Sequence, residues 1–66
     1  MTVTIKQEHI YNYYVCIELV YRYERPFYSV SLTEYGRTIK GNVYYMHEKK
    51  NAMACYSRYK KWARDN

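Results

Sequence analysis

Between Tyr13 and Tyr23 the odd positions read Tyr, Val, Ile, Leu, Tyr and Tyr, and the even positions read Tyr, Cys, Glu, Val and Arg. Period-two alternation in β-branched and aromatic residues predicts a strand with one buried face. Glu24-Arg25-Pro26 then breaks the pattern. Proline donates nothing to a ladder and restricts the residue before it, so the chain is expected to turn there. From Phe27 to Tyr35 the alternation resumes, with Tyr28, Val30 and Leu32 on one side and Ser29, Ser31 and Thr33 on the other. Tyr35-Gly36-Arg37 reads as a hairpin turn, because glycine tolerates positive φ, and Thr38 to Met46 as a third strand, bent or bulged at Gly41. Val3 and Ile5 hint at a further short strand ahead of the polar stretch Gln7-Glu8-His9.

After His47 the period changes. Ala52, Cys55, Tyr56, Tyr59, Trp62 and Ala63 recur at i, i+3/i+4 and i+7 and fall within an arc of about 120° on a helical wheel. Lys50, Arg58, Lys61 and Arg64 occupy the opposite arc, with Lys49 and Lys60 at its border. Glu48 at the start and Lys60, Lys61 and Arg64 at the end complement the helix dipole. The expected fold is therefore a single α+β domain over residues 1–66: a two-layer, three-stranded antiparallel β-meander with one C-terminal amphipathic α-helix packed on one face, in the order β-β-β-α. That arrangement leaves the other sheet face uncovered, as a mixed patch of Tyr14, Cys16, Glu18, Val20, Arg22, Ser29, Ser31 and Thr33.

Composition sharpens this picture. Eleven of the 66 residues are tyrosine, against one phenylalanine and one tryptophan. Tyrosine packs one ring edge dry while its hydroxyl stays wet, so a domain built from it has cores that grade into binding surfaces. A chain of this size buries only about 60% of the surface its unfolded form exposes, and a partner subunit is a common source of the missing stability. Oligomerisation is an expectation on those grounds.

The net charge of +5 is unevenly placed: residues 1–46 carry +1 and residues 47–66 carry +4. Two cysteines, Cys16 and Cys55, and an N-terminus without an apolar leader segment suggest a cytoplasmic protein with free thiols. No apolar run approaches the ~18 residues of a membrane span. The ligand candidates His9, Cys16, His47 and Cys55 lack zinc-knuckle spacing, and His47 and Cys55 on one helix would stand about 12 Å apart. No metal or other cofactor is expected. Catalysis is not expected either, because no nucleophile has a base and an orienting group in pattern with it and no phosphate-cradling glycine motif occurs. A small-molecule substrate is accordingly absent from the expectation.

Two binding readings remain. The first is a protein-interaction module, an adaptor, inhibitor or homodimeric regulator, with Tyr14, Arg22, Tyr23 and Arg25 as the anchor residues, since tyrosine and arginine are enriched where interfaces concentrate their energy. The second is a nucleic-acid binder that touches the phosphate backbone through Lys50, Arg58, Lys61 and Arg64. A three-stranded sheet with a packed C-terminal helix is similar in outline to plant and transposon-integrase domains that insert such a sheet into the major groove of DNA. The near-neutral sheet segment, with Glu18 on its open face, speaks against that docking mode here. A chain of this kind would suit a regulator carried by a phage or mobile element.

Overall fold

The computed structural model describes residues 1–22 and 25–66. It is an α+β domain in which an antiparallel sheet carries one C-terminal helix, but the sheet has four strands rather than the expected three. These are β1 (Thr2–Ile10), β2 (Tyr13–Val20), β3 (Phe27–Glu34) and β4 (Arg37–Tyr45), paired in that spatial order as a plain meander. A single 3₁₀ turn, Met46–Glu48, leads into the helix α1 (Lys49–Asp65). No described helix is long and apolar enough to cross a membrane.

The strand that sequence reading reduced to a hint, β1, pairs with β2 along its whole length. It was hard to see because it has almost no buried side: all of its residues but Ile10 are exposed. A bulge at Ile5 also flips the parity between Thr4 and Lys6, which destroys any simple alternation. The backbone of Met1 extends the pairing, its carbonyl accepting from the Tyr21 N–H at 2.7 Å and its ammonium donating to the Tyr21 carbonyl at 3.2 Å.

Two hairpin turns lie within the described residues. Tyr11 adopts φ 57° between β1 and β2. Between β3 and β4, Tyr35 and Gly36 take φ 52° and 79°, two successive positive values that match the right-handed twist of the strands they join. The turn expected at Glu24-Arg25-Pro26 lies partly outside the described residues. The bend expected at Gly41 is displaced: the register slips between Leu32 and Thr33, whose partners are Lys40 and Thr38, so Ile39 is the extra residue and Gly41 pairs regularly with Ser31.

One side of the sheet faces the helix. Val15 and Ile17 of β2 and Val30 and Leu32 of β3 are fully buried there, with Tyr28 and Ile10 close behind. The helix contributes Ala52, Cys55, Tyr56 and Ala63, the small residues allowing close approach, while Met53, Tyr59 and Trp62 pack along the margin with Tyr13, Leu19 and Tyr44. The wheel-derived apolar arc is thus the docked face. Trp62 meets Tyr13 edge-on at 5.3 Å between ring centroids, and the Lys40 ammonium sits 5.2 Å from the Trp62 ring. Lys60 turns inward as well, pairing with Glu8 of β1 at 3.8 Å and lying over Tyr56. Ahead of the 3₁₀ turn Glu48 Oε1 accepts from the Tyr45 N–H at 3.0 Å, and at the far end of α1 Asn66 Nδ2 donates to the Trp62 carbonyl at 2.8 Å.

Candidate functional site

The strand registers lay out the uncovered face as four rows that cross β1 to β4. They read Thr2, Val20, Phe27, Tyr45; Thr4, Glu18, Ser29, Val43; Gln7, Cys16, Ser31, Gly41; and His9, Tyr14, Thr33, Thr38. The first row and Val43 beside it form an apolar end, with Val43 57% and Tyr45 64% exposed. The two middle rows hold the small residues Cys16, Ser29, Ser31 and Gly41, with Thr4, Glu18 and Gln7 beside them. The last row is aromatic and polar: the Tyr14 ring lies 4.7 Å from His9, its hydroxyl donates to Gln7 Oε1, and Thr33 Oγ1 donates to the Tyr14 carbonyl at 3.4 Å.

Charge is nearly missing from these rows. Among the described residues they hold one carboxylate, Glu18, and no lysine or arginine. The sheet cations lie elsewhere: Lys6 and Lys40 pair opposite Ile17 and Leu32, which places them on the helix side, and Arg37 closes the β3–β4 hairpin opposite Glu34. The small depression at that hairpin, lined by Glu34, Tyr35 and Arg37, is the wall of an exposed turn.

Cys16 sits at the centre of the open face but is only 4% exposed, because Tyr14 and Glu18 flank it along the strand and Gln7 and Ser31 across it. Burial pushes its thiol pKa above the ordinary value, with the Tyr14 hydroxyl opposing and Glu18 reinforcing the shift. Such a thiol is a poor nucleophile. Cys55 is buried on the other side of the sheet, under the helix, and both thiols are unbridged. Around Cys55, burial raises the Tyr59 pKa to about 12, helped by the neighbouring Cys55 thiol and opposed by Arg58. The same thiol, followed by burial, raises Tyr44. Among the described residues no three His, Cys, Asp or Glu side chains converge to hold a metal.

The anchor residues expected for a protein interface are divided. Tyr14 stands half-buried on the open face, in its last row. Arg22 and Arg25 are exposed beyond the opposite end of β2, about 26 Å away at ~3.3 Å per strand residue, with the Arg25 N–H 3.4 Å from the Arg22 carbonyl. Tyr23 lies outside the described residues. The structure therefore brings the two arginines together and separates them from Tyr14. Sequence reading missed Phe27, which alternation with Ser29 and Ser31 already places on the face, and Val43 and Tyr45, which only the register of β4 assigns to it.

The second candidate surface is the outer side of α1. Lys50, Arg58, Lys61 and Arg64 are all exposed, as is Lys49. Lys60, at the border of that arc on the wheel, is drawn out of the set by Glu8 and Tyr56. Comparison with known proteins finds no matching family model, no matching curated protein and no matching solved structure, so the surfaces themselves carry the functional argument.

Proposed function

We propose that this chain is a small, non-catalytic protein-interaction module that recognises its partner through the open face of its sheet. The observation that carries this reading is the chemistry of that face: four rows with one carboxylate, no cation, and Val20, Phe27, Val43 and Tyr45 gathered at one end. Interface centres are depleted in charge and enriched in aromatic side chains. A phosphate-binding surface requires clustered cations instead. Tyr14 adds a ring at the far end of the face, and Arg22 and Arg25 supply a polar rim beyond its apolar end. Rim charges of this kind tune association rate more than affinity.

The test is retention of a partner from a nuclease-treated lysate of the source cell, by wild type and by a Val43→Lys variant. A specific protein held by the wild type and released by the variant is the expected result. Retention that the nuclease abolishes would overturn it.

A second reading keeps a specific observation in its favour. The outward cations of α1 stand together on one side of the molecule, suited to sequence-independent contact with a phosphate backbone. In that case DNA affinity falls steeply with salt, each neutralised phosphate adding about 0.9 to the logarithmic slope. Changing Lys50, Arg58 and Lys61 together to glutamine then removes DNA retention; undiminished retention excludes this reading.

A further inference from the structure

The open face has two routes to a partner, by its edges or by its surface, and the edges are blunted. Both edge strands carry one extra residue, Ile5 in β1 and Ile39 in β4, so neither offers a regular row of unpaired backbone groups to an added strand. The surface is different. Across its middle Cys16, Ser29, Ser31 and Gly41 are small, with Glu18, Gln7 and Val43 standing around them. Its aromatic residues sit at the two ends.

We infer that the occupant of this face is a second copy of the same chain, stacked sheet to sheet about a two-fold axis that runs along the strands between β2 and β3. This inference rests on the protein-interaction reading above and names the partner it leaves open. Three features select a copy. First, the face carries one charge, so the only like charges a second copy brings together are the two Glu18 carboxylates, whereas the basic helices are left on the two outer surfaces, as far apart as the assembly allows.

Second, the stated axis lays β2 over β3 of the second copy and matches each row to itself. Val20 then meets Phe27, Cys16 meets Ser31, and Glu18 meets Ser29, whose hydroxyl can donate to the carboxylate. An axis across the strands would instead lay the apolar row of Val20, Phe27 and Tyr45 over the polar row of His9, Tyr14 and Thr33. Third, the area suffices for a reversible dimer. Four strands spaced ~4.8 Å apart and eight residues long at ~3.3 Å each give a face of roughly 500 Å², or ~1,000 Å² for the pair, the lower edge of specific interfaces. Aligned stacking of two twisted sheets at about 30° is an established way to close such a layer.

Sedimentation velocity from about 1 μM to about 1 mM tests the inference. The wild type is expected to pass from monomer to dimer mass across that range. Ser31→Lys, at the centre of the face, or Val43→Lys, at an exposed position, is expected to weaken association by about tenfold or more while leaving the circular-dichroism spectrum unchanged. Val43→Lys serves where Ser31→Lys disturbs folding. The Lys50, Arg58 and Lys61 to glutamine variant is expected to dimerise as the wild type does.

A wild type that stays monomeric throughout, or a dimer untouched by both lysine variants, overturns the inference. A monomer that still holds a different protein, released by Val43→Lys, overturns the second copy while leaving the protein-interaction reading in place. A monomer that holds none removes both.

Discussion

The two faces of this sheet are built from alternate residues of the same strands, yet they are put to different uses. Val15, Ile17, Val30 and Leu32 lie fully buried beneath the helix, while their neighbours Glu18, Ser29, Ser31 and Thr33 line a face that no described helix or strand covers. Side-chain chemistry follows the division: branched aliphatics fill the covered face, whereas Ser29, Ser31 and Thr33 of β3 lie beside Glu18, Cys16 and Tyr14 of β2 on the open one. The difference teaches that the side chains that hold the fold together are gathered on one side of the layer, which leaves the other side available for the association proposed above, a separation that the two-residue period of a strand permits.

Substitution on the covered face should break this comparison most strongly. Leu32→Ala is expected to cost about 2–5 kcal/mol, because its neighbours cannot collapse fully into the space it leaves. In a domain this small that loss amounts to most of the stability. Urea denaturation reads it directly. On the open face, Val43→Ala should stay within about 0.5 kcal/mol of wild type, since more than half of Val43 is already in water. Equal losses at the two positions would erase the distinction.

Trp62→Ala comes next, at about 2 kcal/mol, through lost contact with Tyr13 and the Lys40 ammonium at the margin of the core. Thermal melting followed at the helix signal is the measurement. Trp62→Phe should recover part of the loss.

Alkaline pH sharpens the same contrast with a smaller effect. Tyr59, raised by burial to about 12, and Tyr44 and Tyr56, raised in the same direction, keep their protons in the folded state above the value of about 10 at which they lose them when unfolded. Their contribution to stability is complete below about pH 10 and declines as pH rises from there toward 12, because in that window the folded state binds more protons. Denaturation midpoints at pH 8 and pH 11 should differ in that direction. Tyr59→Phe should reduce the difference.

The smallest effect belongs to the outer helix face. Glutamine at Lys50, Arg58 and Lys61 should leave denaturation midpoints within about 0.5 kcal/mol of wild type, since these side chains are exposed.

How much of this was legible in the chain depended on burial. β2, β3 and α1 were readable because each has one dry side, which imposes a period of two on Tyr13–Val20 and Phe27–Glu34 and a period of 3.6 on Ala52 to Ala63. β1 lies at the margin that the helix scarcely reaches, so Ile10 alone of its residues is buried, and the bulge at Ile5 breaks what alternation remains. Conformational freedom favours Gly41 for the bend in β4, yet the bulge falls at Ile39, because register is set by pairing with β3 and not by the residue most tolerant of a kink. The open face was half legible for the same reason. Its β2 and β3 members follow from alternation alone, whereas Val43 and Tyr45 join it only once the cross-strand partners Ser29 and Phe27 are known.

The central claim is that association takes place on the open face, and amide chemical shifts across a dilution series test it most directly. The account predicts concentration-dependent shifts confined to Val20, Phe27, Ser29, Ser31, Val43 and Tyr45 and their immediate neighbours, with Lys50, Arg58, Lys61 and Arg64 unmoved. Shifts centred on the helix, or a spectrum that does not change with concentration, would contradict it.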